Sequence, residues 1–268
     1  MKLAVIGHVE WVEFARVEHV PAPGEIVHAL ETWEEAAGGG AVAAAQLANL
    51  GGSARLFTAL GSDDLGRRAR TQLAAQNVVV HAANVPSPQR RAFTFVDASG
   101  ERTITVLGGK LRPRARDDLP WEELADADAV YFVSGDAECL GRARRARVLV
   151  ATSRELPTLR TAGIELDALV GSATDVGERY DVELDPPPKL VVTTSGALGG
   201  WFQPGGPFRA VPPPGPIVDT YGSGDCFAAG LTFALAQGDE PADAVAFAAE
   251  CGAAVLTGRG GFEGQLRI

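Results

Sequence analysis

The chain has 268 residues, 46% hydrophobic and 22% charged, the composition of a globular protein able to bury a core in one domain or two. A formal net charge of -10 argues against a protein that coats nucleic acid, because phosphate binding draws on excess Lys and Arg. No window approaches the roughly 18 consecutive apolar residues of a membrane span, and the N-terminus moves from a short apolar run straight into charge, so a cytoplasmic chain without a membrane partner is expected.

In chain order, "LAVIG" reads as a strand, and Gly24–Trp33 alternates like another. "AVAAAQLANLG" is an Ala-rich helix ending on Gly51, where a left-handed cap would stop it. "ARLFTAL" is a strand, "DDLGRRARTQLAAQNV" a helix with Leu65, Ala69 and Leu73 on its apolar side, and "NVVVHAA" a strand. Arg91–Gly109 alternates around a turn at Ser99-Gly100 and reads as a hairpin, either a lid or dimer contact or an ordinary surface hairpin. "DAVYFVS", "RVLVATS", "DALVGS" and "KLVVTTSG" are further strands separated by helical patterns. That alternation predicts a parallel α/β sheet covered on both faces, with a small extra sheet projecting from it. Cys139, Cys226 and Cys251 lack metal-type spacing and read as reduced core thiols, and the four histidines show no ligand spacing.

"VDTYGSGDCFAAGLTFALAQG" carries the chemistry. From Cys226 onward the apolar residues recur at helical spacing, with Gly238 as the stop, so "DTYGSGD" is the turn leading into a buried helix. Gly222 and Gly224 leave the backbone uncovered, so the amides around Ser223 can point at one anion at the positive end of the helix dipole. Two readings of Asp225 stand on spacing alone. It is an ordinary helix N-cap, or it accepts a proton from an attacking hydroxyl while the amides hold a transferring phosphoryl group. Neither a G-x-x-x-x-G-K-[ST] loop nor a G-x-G-x-x-G fingerprint occurs, which disfavours a P-loop enzyme or a dinucleotide dehydrogenase.

"DTYGSGDCFAAGLTFAL" resembles the C-terminal signature of the ribokinase-like, or PfkB, carbohydrate kinases, D-T-x-G-A-G-D-x-F-x-x-G, with Ser223 in place of the usual Ala. "VVTTSGALGG" resembles that family's nucleotide loop, "VLTGRGGFEG" its adenine and cation loop, and "AAGGGAVAAAQLANLG" its N-terminal glycine signature. The resemblance spans nearly the whole chain. It implies a three-layer αβα sandwich with a mainly parallel central sheet, one kinase domain over 1–268, and a small β lid within about 9–35 and 88–110. It further implies ATP as phosphoryl donor, Mg²⁺ and, as in some members, a monovalent cation. The acceptor would be a sugar or a sugar-like small molecule, and the lid sheets would pair across a homodimer.

Carried over by residue, Gly222, Ser223 and Gly224 would form the anion hole beside the base Asp225. Thr194, Gly196, Gly199, Gly258 and Gly260 would face the nucleotide, although Gly199 also suits a strand-ending turn and Gly258 a helix C-cap. Asp219 would lie near the cation loop. The family's N-x-x-E appears as Ser172 and Asp175, making Asp175 the metal-side acid, with Glu178 as the alternative. On the acceptor side, Val12 and Val42 stand where an Asp and an Asn are usual, so an unmodified ribose-like acceptor is disfavoured. Glu10 would replace the lost acid, Gly38 and Gly39 would line the substrate, and Arg90 would hold a phosphate already on it or, with Arg91, form an exposed basic pair. Trp11 and Trp33 would stack on a base or sugar, or simply pack. A nucleoside kinase, a phosphosugar kinase and a non-catalytic ligand-binding relative are the competing readings.

Overall fold

The computed structural model describes residues 1–268. The chain forms β1 (Leu3–Ile6), β2 (Glu10–Arg16), β3 (Glu31–Ala37), α1 (Gly39–Gly51), β4 (Ala54–Gly61), α2 (Asp64–Ala75) and β5 (Val78–Val85). A hairpin of β6 (Arg91–Val96) and β7 (Arg102–Leu107) follows. Next come β8 (Ala129–Phe132), α3 (Ala137–Ala143), β9 (Val148–Thr152), α4 (Leu156–Ala162), β10 (Ala168–Ser172) and β11 (Leu190–Thr194). The chain ends with β12 (Gly200–Gln203), β13 (Gly206–Phe208), α5 (Ser223–Gln237) and α6 (Pro241–Ala254).

Nine strands form one sheet in the order β13-β12-β11-β10-β9-β8-β1-β4-β5, parallel except for the β12–β13 edge. Its strands alternate between two apolar faces. Leu3 and Val5 of β1 join a core with α1, α2, α5 and α6, while Ala4 and Ile6 join a second core with α3 and α4. Burying each such Leu or Ile contributes about 1.5–3 kcal/mol, which only a sheet covered on both sides can collect from every residue of a strand. The first core has 49 buried residues against 20 in the second, so α1 and α5 sit on the more deeply packed face.

A four-stranded sheet of order β3-β2-β6-β7 stands apart, with β2 parallel to β6 and the other pairs antiparallel. β2 leaves β1 after three residues, and Phe14 on it stacks on Trp33 at 4.8 Å. All six residues of β7 are exposed along the sheet edge.

Two boundaries differ from expectation. Gly24–Trp33 is strand only from Glu31, because β2 is fully paired by Glu31–Ala37 and before them only the Leu30 amide reaches it, at the Arg16 carbonyl; Ile26 is 87% exposed. The first helix includes Gly51, and it is Gly52 that takes the positive φ of 81°.

Candidate active site

The site begins where α5 begins. Gly222 has φ 80° and ends the preceding loop, and the first helical hydrogen bond runs from the Cys226 amide to the Gly222 carbonyl. The amides of Ser223, Gly224 and Asp225 therefore have no acceptor within the chain, as at any helix start without a side-chain cap. Open space surrounds the Gly224 Cα. Asp225 is the third helical residue and its carboxylate caps nothing, so the N-cap reading fails. The carboxylate points across the cleft to a second helix N-terminus: a Cβ on Gly39 would lie 2.8 Å from Asp225 Oδ1. Gly39 is needed for that approach. Burial pushes the Asp225 carboxyl up to about 7, helped by the nearby charge of Glu178 and opposed by Arg102 and Arg154.

Glu10 continues the same wall. It is buried at the start of β2, and a Cβ on Gly38 would come within 3.1 Å of its side chain. Arg90 Nε lies 2.9 Å from Glu10 Oε1 and His8 Nε2 lies 3.7 Å from it. Burial raises the Glu10 carboxyl, with Arg90, Lys110 and Arg154 acting the other way. Burial and then the charges of Lys110, Arg90, Arg112 and Arg154 hold the His8 imidazole well below its ordinary value, so it is neutral. Arg90 and Arg91 are not a basic pair on the surface: Arg90 turns inward to Glu10, and Arg91 outward to Glu13. Val12 and Val42 are fully buried, Val42 beneath Gly222 and Gly261. Trp11 lies under the Arg68 guanidinium at 4.3 Å and Trp33 against Phe14, so both indoles pack against the chain itself.

At the far side of the cleft the strand ends of β9 and β10 bring three charges together. Arg154 donates to Asp175 at 2.5 Å and to Glu178 at 2.9 Å. Burial opposes charge on Asp175, but the Arg154 bond and the Gly177 amide outweigh it and hold the carboxyl below the usual range. Both acids are hard oxygen donors of the kind Mg²⁺ takes through water, and Arg154 now occupies them. No group of three or more His, Cys, Asp or Glu converges as a metal cluster.

Thr194 ends β11 and its hydroxyl donates to the Gly171 carbonyl at 3.2 Å. Gly196 sits in open space with φ 56°, whereas Gly199 shapes the turn into β12, packed against the backbone of Phe208–Ala210. Gly258 follows a 3₁₀ turn in extended conformation, φ -121°, and is not a left-handed cap; it packs on Glu263 and Gly264. Gly260 donates its amide to Asp219 at 2.9 Å, and Asp219 also accepts from Tyr221 at 2.8 Å. Glu35, from β3, enters the same loop and accepts from the Gly261 amide at 2.9 Å. Burial, with Asp219 adding to it, pushes Glu35 up to about 7.

Sequence reasoning missed His8, Glu35, Lys110, Arg154 and Ser134, whose buried hydroxyl has no hydrogen-bond partner. His8, Ser134 and Arg154 each follow the carboxyl end of a central parallel strand, β1, β8 and β9, which is where ligands gather on such sheets, so strand-end position alone was a usable signal. Glu35 carried no signal, because its partner loop is more than 200 residues away.

Unpaired helix amides and a carboxylate lie together at the carboxyl edge of a doubly covered parallel sheet, an arrangement suited to a small phosphorylated ligand. The profile of the "pfkB family carbohydrate kinase" family matches residues 1–154 and 145–265. The fructokinase of Salmonella typhimurium is 29% identical over 83% of this chain and 86% of its own length. The ATP-dependent ribose-1-phosphate kinase of Halopiger xanaduensis is 27% identical over 95% and 91%. Thermotoga maritima ribokinase superposes with a TM-score of 0.77 at 21% identity, covering 100% of this chain and 96% of that one. Arabidopsis thaliana ribokinase, solved with ribose and ATP, superposes at 0.73 with 20% identity over 97% and 93%. The chain belongs to the pfkB family of carbohydrate kinases, and its fold is ribokinase-like. It is a sugar kinase, a phosphotransferase with an alcohol group as acceptor.

Proposed function

We propose that the protein transfers the γ-phosphoryl group of ATP to a hydroxyl of a sugar or sugar-like small molecule, with Asp225 as the base. One observation carries the reading: Asp225 is a carboxylate that caps nothing, with proton affinity raised to about 7, set between the N-terminus of α1 and that of α5, whose first three amides have no acceptor within the chain. Asp225 takes the proton of the acceptor hydroxyl as its oxygen bonds to the γ-phosphorus. The bond from that phosphorus to the β,γ-bridging oxygen breaks, and ADP leaves with the electron pair. The amides of Gly222, Ser223, Gly224 and Asp225 neutralise the charge spread over the transferring group.

Thr194, Gly196, Gly199, Gly258 and Gly260 form the nucleotide side; the open surface at Gly196 and the tight turns at Gly199 and Gly258 suit a base lying on backbone. Mg²⁺ would be held through water by Asp175, with Glu178, and would screen the phosphate charge. The paired carboxylates of Asp219 and Glu35 suit a monovalent cation at their loop. Glu10, Gly38, Gly39 and Arg90 contact the acceptor. The packed indoles remove the support for a nucleoside acceptor, and the free base and amides oppose a non-catalytic binder. Two copies pair through the exposed β7 edge of the small sheet, which acts as the lid. Three buried free thiols fit a cytoplasmic chain.

The test is Asp225→Ala assayed for ADP release and for ATP binding. Transfer should fall by at least about 10³-fold with ATP binding retained. Full activity in the variant removes Asp225 from the mechanism.

A further inference from the structure

We propose that Gln89 is a positioning residue for the acceptor: its buried carboxamide sets Glu10 and Arg90 against each other at the joint between the two sheets. The inference rests on the reading that Glu10 and Arg90 contact the acceptor, and adds the residue that places them.

Gln89 is 2% exposed and stands between β5 and β6, one residue before Arg90. A buried carboxamide is costly unless its donor and acceptor groups are met, and here both ends are met. Oε1 accepts the Gly61 amide at 3.0 Å, at the end of β4. Nε2 donates to the Val9 carbonyl at 2.7 Å, in the link from β1 to β2, and to the Arg90 carbonyl at 3.4 Å, where β6 begins. The partners fix which way the carboxamide faces, because an amide nitrogen can only donate and a carbonyl can only accept. The backbone holds the same place. The Gln89 amide donates at 2.9 Å to Asp63, whose other oxygen caps α2 at the Gly66 amide. A Cβ on Gly61 would lie 2.4 Å from the Gln89 nitrogen, so the glycine is what admits the residue.

β1 and β4 belong to the nine-stranded sheet and β2 and β6 to the small one, so a single side chain ties strands of both. Its bonds on the small-sheet side fall beside the two acceptor residues. Val9 precedes Glu10, and the Arg90 carbonyl that accepts from Gln89 also accepts the Trp11 amide at 2.9 Å. The ion pair of Arg90 Nε with Glu10 Oε1, at 2.9 Å, therefore closes between two stretches of backbone anchored on one carboxamide. The pairing of β2 with β6 starts at this point, Trp11 opposite Arg91, and a slip of one residue would turn Arg91 into the cleft and Arg90 out of it. A glutamate in place of Gln89 would set a second acceptor against the Val9 carbonyl. A leucine would leave that carbonyl and the Gly61 amide unpaired.

The test uses the full chain with Mg-ATP and a panel of pentoses, hexoses and their monophosphates, and follows the member turned over fastest. Gln89→Leu should raise KM for that acceptor about tenfold or more while KM for ATP stays within about twofold. Arg90→Gln alone should raise the acceptor KM comparably. Since Gln89 acts through the pair of Arg90 and Glu10, the double variant should exceed the worse single variant by no more than about twofold. Gln89→Glu keeps the Gly61 bond and should raise the acceptor KM about threefold or more, and it serves in the cycle if Gln89→Leu fails to fold. An acceptor KM unchanged by either Gln89 variant, a matching rise in KM for ATP, or penalties that multiply in the double variant overturns the inference and leaves the acceptor reading standing. An acceptor KM unchanged in Arg90→Gln removes that reading and the inference with it. Turnover of no panel member overturns both.

Discussion

Asp225→Asn keeps the shape of the proposed base and removes its ionisation, so it separates what the carboxylate does for chemistry from what it costs the fold. In the native chain the carboxyl is pushed up to about 7 from the ordinary 3.8, first by burial and then by Glu178. A carboxyl with a higher proton affinity folded than unfolded binds more protons in the native state. Stability therefore falls as pH rises from about 4 to about 7 and levels off above that. The gap between about 7 and 3.8, at about 1.4 kcal/mol for each tenfold in affinity, sets a ceiling of about 4 kcal/mol. Asp225 keeps some contact with solvent, and screening in the cleft reduces the effect to about 1–3 kcal/mol. Thermal unfolding in nucleotide-free, metal-free buffer should show Asp225→Asn melting about 2–8 °C above wild type at pH 8. The difference should close by pH 4, where both side chains are neutral. A variant no more stable than wild type at pH 8, or a difference equally large at both pH values, refutes the reasoning. The accompanying loss of turnover would place stability and activity in opposition at one atom.

The same ionisation sets a pH–rate profile: kcat/KM should fall about tenfold per unit as pH drops below about 7, and a flat profile to pH 5 would exclude Asp225 as the titrating base. Arg154→Ala removes a charge that lowers Asp225 and leaves Glu178, which raises it, unpaired, so the acid limb should move to higher pH, with Arg154→Lys returning it part of the way. Gly39→Ala places a methyl 2.8 Å from Asp225 Oδ1 and should cost about 10²-fold in kcat while circular dichroism stays native. Ile104→Lys on the exposed β7 edge should convert a dimer to monomers in sedimentation analysis, and an unchanged sedimentation coefficient would assign any dimer to another surface.

What was legible in the sequence follows from how local each feature is. The parallel sheet showed itself because strands buried on both faces read as continuous apolar runs, as in "LAVI" and "AVYF". The turn "DTYGSGD" was legible because amides, helix start and carboxylate lie within seven consecutive residues. The proposed acceptor side was not, because Glu10, Gly38–Gly39 and Arg90 come from three separate stretches of the chain. Which arginine of the pair 90–91 turns inward depends on the phase of β6 against β2. The pairing of Trp11 with Arg91 decides it, and no periodicity within either segment contains that register. The resemblance implies Asp175 as the metal-side acid, but its ion pair with Arg154 was hidden, since Arg154 lies at the end of a different strand.

The small sheet and the turn before α5 are held by the same contacts, which bears on how the proposed reaction would be organised. The loop from Val218 to Tyr221 is gripped from the small sheet on several sides. Arg16 of β2 donates to the Val218 carbonyl at 3.2 Å, and Arg102 of β7 to the Thr220 carbonyl at 3.0 Å. The Thr220 amide donates to the Gly100 carbonyl at 2.9 Å, and Phe14 meets Tyr221 edge to face at 5.1 Å. Tyr221 in turn accepts the Gly38 amide at the mouth of α1. Moving the small sheet would therefore move the turn that carries the free amides and the carboxylate, and also Gly38 at the mouth of α1. A loosely seated lid would leave acceptor and base misaligned together, so water entering an unfilled cleft would meet an incomplete site. That coupling is a physical route to favouring transfer to a sugar over hydrolysis of ATP.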